Sequence, residues 1–311
     1  RLRRDRDASS RNRFDALLAV PAPFDQWVAI AEQALLDRHT FGAMGPMVYK
    51  TADYGATWQP LSTPENPKGL AGYAHVVRED LVNRGLLYVG TEMGLWISND
   101  DGGSWAQFTG GDFPAVAVRD IAIQPRDHDL VLATHGRGIW IIDDLTPLRA
   151  LTPSILSAEA AFLPTRPQQQ RIRANGGWVE GDASYTGENA SSSVTITYYQ
   201  KARHLFGKLK IEVLDDKGKL VDTLPASKRR GINRVSWSMN VKPPRVPPAA
   251  QVAGAARSGP RVVPGTSTVR MSKGAKTYET KIVVGLDPRW PFTVAERQAQ
   301  ALREHQREHR A

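Results

Sequence analysis

With 311 residues, 41% hydrophobic and 23% charged, the chain has the composition of a soluble globular protein and the length for two domains of ordinary size. It has no cysteine, which excludes disulfides, thiolate metal sites and a cysteine nucleophile, and no apolar run approaches the roughly 20 residues that span a bilayer. The formal charge of +9 favours an acidic partner, but no RNP-like element, zinc finger or recognition helix accompanies it, so nucleic-acid binding is not expected.

The first residues carry Arg1, Arg3, Arg4, Arg6, Arg11 and Arg13, which read as a solvated basic extension over 1–24. The start at Arg1, with neither Met nor an apolar leader core, reads as that of a processed or truncated product. Residues 25–38, FDQWVAIAEQALLD, have local helix propensity with Asp25 as a cap. Across the chain, 26 glycines and 21 prolines interleave with short runs such as VTITYY and KLKIEVL, which favours many short strands joined by turns.

An internal repeat stands out. Thr51-Ala-Asp53-Tyr-Gly55-Ala-Thr57-Trp58 recurs as Ser98-Asn-Asp100-Asp-Gly102-Gly-Ser104-Trp105, 47 residues later, each copy following a short apolar strand. A period in the forties is that of a four-stranded propeller blade. The residue types are those of a turn: Asp and Ser or Thr oxygens accept from nearby backbone amides, Gly takes a conformation barred to other residues, and Trp covers the joint. Asp53 and Asp100 are therefore turn chemistry rather than catalytic acids.

The pair of motifs resembles the Asp-box, or BNR, repeat of sialidases, some xyloglucan hydrolases, sortilin-type receptors and photosystem assembly factors. The stretches from Tyr73 to Trp105 and from Val118 to Leu148 are similar to the closing blades of large bacterial sortilin-like or BNR glycosyl hydrolase proteins, and the resemblance covers about residues 26–290. It implies a strand at Trp27 to Ala31, which is preferred here over the helix. Gly90-Thr-Glu-Met-Gly94-Leu-Trp96 lines up with Ala133-Thr-His-Gly-Arg-Gly138-Ile-Trp140, after which the Asp-box is missing and Asp143-Asp144 leads out, as suits a terminal repeat. Residues 25–148 thus hold two to three blades, where a closed propeller has roughly four to eight. The open edge near residues 26–60 is expected to be covered by another chain or by the N-terminal segment.

Residues 149–192 read as a connector and long loop, rich in Gly, Ser and Asn toward its end. Alternation at Val194, Ile196 and Tyr198 and at Leu209, Ile211 and Val213, a hairpin turn at Asp215-Asp-Lys-Gly218, and further strands at 220–224, 233–239, 267–272 and 276–284 predict a β-sandwich over 193–288. It resembles the immunoglobulin-like domain that follows the propeller in the same bacterial family. A capping-box pattern at Thr293-Val-Ala-Glu296 predicts a short C-terminal helix within 289–311. The fold class expected is all-β: a partial Asp-box propeller, an immunoglobulin-like sandwich and that helix.

For catalysis, glycoside hydrolysis needs paired carboxylates. Glu79, Asp80, Glu92, Asp120, Asp143 and Asp144 are available, but none sits in a motif that marks it. Ligand-binding candidates are His135 and Arg137, presented by two glycines at a strand end, with Arg78 and Arg119 at comparable blade positions. No cofactor is expected, and no metal: among the seven histidines only His305 and His309 have ligand-type spacing, in a basic tail. Asn189-Ala-Ser191 is a glycosylation sequon that matters only on a eukaryotic secretory route. The expected function is that of a non-catalytic binding or accessory subunit, periplasmic or secreted by resemblance, with protein partners that include an acidic face of a large or membrane-associated complex, and glycan as a further ligand. The alternative is the C-terminal part of a BNR-type glycoside hydrolase.

Overall fold

The computed structural model describes residues 45–172, 191–242 and 259–300, together with the backbone of 27–30. The chain is all-β and divides into two compact units, Arg1–Arg149 and Ala150–Ala311.

The first unit is a partial β-propeller of three blades. Its strands are β1 (Trp27–Ile30), β2 (Val48–Thr51) and β3 (Gln59–Ser62) in the first blade. The second has β4 (Ala74–Glu79), β5 (Leu87–Thr91), β6 (Gly94–Ser98) and β7 (Ala106–Gln107). The third has β8 (Val118–Gln124), β9 (Asp129–Thr134) and β10 (Ile139–Ile142). Every blade is an antiparallel meander in chain order, and β4 of the middle blade lies against both β1 and β8 of its neighbours. Trp27–Ile30 is a strand paired to β2, from Trp27 opposite Thr51 to Ile30 opposite Val48. The rest of the 25–38 stretch lies outside the described residues, as do the basic extension, His305, His309 and the Asn189 sequon.

Blades pack face to face. Val48, Leu61 and Leu70 meet Ala74, Val77, Leu87, Val89, Trp96 and Trp105, so one face of the middle blade is buried against the first. On its other face Val76, Leu86, Tyr88 and Leu95 meet Val118, Ile121, Leu130, Leu132 and Leu145 of the third. A sheet buried on both faces reads as a near-continuous apolar run, and β5, LYVGT, is buried at all five positions. Helix α1 (Thr146–Arg149) closes the unit, its Arg149 guanidinium gripping the fully buried carboxylate of Asp80 through Nε at 2.8 Å and Nη2 at 2.9 Å.

The second unit is an immunoglobulin-like β-sandwich. One sheet is β11 (Ala160–Phe162), β13 (Val194–Gln200) and β16 (Gly231–Trp237). The other has the order β12 (Gln168–Gln170), β18 (Lys276–Leu286), β17 (Gly265–Lys273), β14 (Leu209–Leu214), β15 (Leu220–Leu224). Alternate residues of both inner faces form the core, among them Ile196, Tyr198, Ile211, Val213, Trp237, Val269, Met271 and Ile282. Two of these strands, β11 and β12, lie within the stretch read from sequence as connector. Each has only three residues, and Gln168–Gln170 has no apolar alternation, so their pairing with β13 and β18 has no local signature. A short helix α2 (Pro153–Ser157), capped by Thr152, precedes them, and α3 covers 294–300 within the described residues. At α3 the Thr293 hydroxyl and amide both donate to Glu296, and the Glu296 amide donates back to Thr293 Oγ1.

Candidate functional site

The two repeat motifs build the same turn, bond for bond. Thr51 Oγ1 donates to Asp53 Oδ1 at 2.7 Å and accepts from the Gly55 amide at 2.8 Å, while the Thr57 amide and hydroxyl donate to Asp53 Oδ1 and Oδ2 at 2.8 and 2.6 Å. Ser98, Asp100, Gly102 and Ser104 repeat the pattern at 2.7, 2.9, 2.9 and 2.6 Å. Tyr54 with Gly55, and Asp101 with Gly102, take positive φ to make the corner. Trp105 then enters the core between the first two blades. Hydrogen bonds from Thr57 and Thr51 hold the Asp53 carboxyl down at about 2. At Asp100 burial pushes the other way, and the Ser104 and Ser98 hydrogen bonds outweigh it and leave it lowered. Both carboxylates are occupied in shaping backbone.

The opposite end of the strands carries the polar side chains of interest. His135, Gly136, Arg137 and Gly138 form the β9–β10 turn, with φ of 75° at both glycines. The turn is tied by Thr134 Oγ1 donating to Gly138 O, by Trp140 Nε1 donating to Arg137 O and by His135 N donating to Ala117 O. The turn is thus held by bonds that do not use the His135 and Arg137 side chains, which stand exposed.

Arg119, at the start of β8, belongs to a second group. Its Nη1 lies 3.2 Å from His75 Nδ1 and its Nη2 3.5 Å from Glu92 Oε2, while His75 Nε2 lies 2.7 Å from the same Glu92 oxygen. Tyr73 packs edge-on against His75 and shares a hydrogen bond with Glu92. These residues come from the start of β4, the β5–β6 turn and the start of β8. The His75 hydrogen bond keeps the Glu92 carboxyl low against burial, and burial together with Glu92 raises the Tyr73 phenol. Glu92 is therefore an ionised acceptor at neutral pH, held on a His–Tyr–Arg frame.

Arg78 is in a third setting: Nε donates to Ile121 O, Nη1 to Val77 O and Nη2 to Asp120 Oδ1, at 2.9, 3.0 and 3.0 Å. Its guanidinium bridges the second and third blades. The four arginine and histidine candidates from sequence thus fall into three separate groups. Of the other carboxylates, Asp80 is consumed by Arg149 and by the Val82 and Asn83 amides, and Glu79 is raised by burial. Sequence reasoning missed the roles of His75 and Tyr73, which no local spacing announces.

The outer face of the third blade is apolar and open. Ile139 and Ile141 on β10 are 72% and 58% exposed, opposite Ala133 and Val131 of β9, and Val131 in turn faces Ala122 of β8. On the inner face of β10, Trp140 and Ile142 pack on the core shared with the second blade.

These features define an all-β chain, a partial propeller with a sandwich, whose polar and apolar surfaces lie on blade ends and on one blade face. No family model and no curated protein matches the sequence. Solved structures that it resembles include an ancestral GH74 enzyme (13% identity over 79% of this chain, TM-score 0.25). Another is the extracellular domain of a B. thetaiotaomicron one-component system (12% over 78%, TM-score 0.24). A third is the BSP domain of a biofilm-associated protein (8% over 69%, TM-score 0.23). The chain spans 37%, 29% and 25% of the lengths of these three structures. Among the described residues no helix is long and apolar enough to cross a membrane.

Proposed function

We propose that the chain is a non-catalytic binding or accessory component of the Asp-box propeller kind, acting outside the cytoplasm and docking on a larger protein assembly through the open face of its last blade. The observation that carries this reading is the exposed apolar face built by Ile139, Ile141, Ala133 and Ala122. The middle blade shows what suits such a face, since both of its own faces are covered by sheets bearing Val, Leu and Ile. The occupant proposed is therefore a β-sheet of a partner protein that presents a similar apolar face. The extracytoplasmic setting rests on the family resemblance of the repeat.

A photo-crosslinking side chain placed at position 139 of the full chain, in its native source, tests this. Crosslinks should land on alternate residues of a β-strand in one partner, and the Ile139→Lys, Ile141→Lys double variant should leave that complex while keeping its fold. A variant that remains in the complex, or crosslinks confined to the chain itself, would refute it.

A second reading, part of a glycoside hydrolase, draws on the Tyr73–His75–Glu92–Arg119 group. Such hydrolysis uses two carboxylates, about 5–5.5 Å or about 6.5–9.5 Å apart, whereas Glu92 is the one carboxylate of this group among the described residues. Hydrolysis of a glycan by the chain, lost in Glu92→Gln, would favour this reading over the first.

A further inference from the structure

The sandwich unit contains a cleft that neither reading above uses. It lies beside the parallel β12–β18 pair and the last described helix, has a volume of about 320 Å³, and is lined by Arg171, Arg261, Arg297, Trp290, Leu286 and Ile172. Arg171, Arg261 and Arg297 line this one concavity from three distant parts of the sequence. Among the described residues no carboxylate pairs with them: Arg297 Nη1 donates to the neutral Gln300 amide, and neither Arg171 nor Arg261 has an acidic partner there.

Among the described residues, the one carboxylate next to the cleft is already spent. Asp287 accepts from the Ile172 amide at 3.0 Å and from the Arg289 amide and guanidinium, and those bonds hold its carboxyl far below the ordinary range. Arg289 also donates to Ile172 O, so this pair braces the wall rather than neutralising the opening.

The aromatic wall is fixed as well. Trp290 Nε1 donates to Gln170 O at 3.1 Å, Phe292 lies 6.4 Å away at a tilt of 32°, and the indole keeps 36% of its surface exposed. Gln170 is itself buried and anchored on Val262 O. A rigid indole face costs little entropy on contact and suits a flat C–H surface, while guanidiniums suit carboxylate or sulfate oxygens. A sugar ring that bears an anionic group offers both at once.

We propose that this cleft binds an acidic glycan, with the anionic substituent of one sugar unit held by Arg171, Arg261 and Arg297 and the ring packed on Trp290. A single-stranded nucleic acid fits less well. It is held by a continuous basic track with successive bases stacked on several rings, whereas here three arginines line one concavity with one indole in its wall among the described residues.

Calorimetric titration of the full chain with tetragalacturonate and with a sulfated dextran oligosaccharide tests the proposal and separates carboxylate from sulfate. Maltotetraose serves as the neutral control and oligothymidylate as the nucleic-acid arm. At least one acidic glycan should bind, and the Arg171→Gln, Arg261→Gln variant should lose about tenfold or more in affinity, the scale of losing charge-assisted contacts. Trp290→Phe should also weaken binding, with folding of both variants checked by circular dichroism. The Lys217→Gln, Lys219→Gln variant, which removes the same charge from the β14–β15 hairpin, should bind as the parent does. Failure of both acidic glycans, equal binding of maltotetraose, an unaffected arginine variant, an equal loss in the lysine variant, or tighter binding of oligothymidylate would each overturn it.

Discussion

Replacing Asp80 by alanine should be among the most damaging single changes in the propeller unit. Its carboxylate is fully buried and accepts from Arg149 Nε at 2.8 and 3.1 Å, from Arg149 Nη2 at 2.9 Å, and from the Val82 and Asn83 amides at 2.9 Å each. The alanine variant strands a guanidinium that is only 10% exposed and leaves two backbone donors without their acceptor. Breaking one partner of a buried pair costs about 3–5 kcal/mol. With a urea dependence of about 2 kcal/mol per molar for a unit of this size, the midpoint of its transition should fall by about 1.5–2.5 M. The two units can unfold separately, so the transition must be followed by probes assigned to each. The second unit's transition should stay in place. A paired variant, Asp80→Asn with Arg149→Met, keeps an acceptor for both amides and removes the stranded charge. It should recover about half or more of the loss. A loss below about 1 kcal/mol in Asp80→Ala, or no recovery in the pair, would refute the reasoning.

The Asp53 carboxyl should titrate near 2 by carbon-detected NMR. Because that is below the ordinary unfolded value of about 3.9, the turn's contribution is present above about pH 4 and is lost as pH falls through 2. Gly102→Ala should cost more than Gly218→Ala in thermal unfolding of their respective units. Both have φ of 78°, worth about 1 kcal/mol to an alanine, but a Cβ at 102 would stand 2.9 Å from Leu61 Cδ1 whereas at 218 nothing lies within 4 Å. Trp237→Ala should destabilise the sandwich by about 3–5 kcal/mol in chemical unfolding, since the indole is fully buried and its Nε1 donates to Asn240 O.

What could be read from sequence was what is decided locally. Thr51, Asp53, Gly55 and Thr57 span seven positions and hydrogen-bond to one another, so residue types at that spacing carry the turn by themselves. The strands β13 and β14 were legible from alternation, because one face of each is core. The polar groups were not. His75, Glu92 and Arg119 are 17 and 44 positions apart and meet only because β4, the β5–β6 turn and β8 share one end of two blades. The cleft arginines are still more widely separated, and each alone reads as an ordinary surface charge. The run Ile139-Trp-Ile-Ile142 declares a strand, but not which of its faces has a covering sheet.

That last ambiguity follows from how blades stack. A blade has two faces, and burial of both is what makes β5 apolar at every position, as Leu87, Val89 and Tyr88 show on opposite sides of one strand. The third blade has the same residue types on both sides of β10, with Trp140 and Ile142 half-buried and Ile139 and Ile141 exposed. A strand whose only task was to cap the stack would place polar residues on its outer face, as edge strands that face water commonly do. Two isoleucines there, opposite Ala133 and Val131, instead repeat the chemistry that holds the inner blades together. The difference between a capped and an uncapped blade thus lies in two side chains of one four-residue strand, and those two side chains are where the docking test acts.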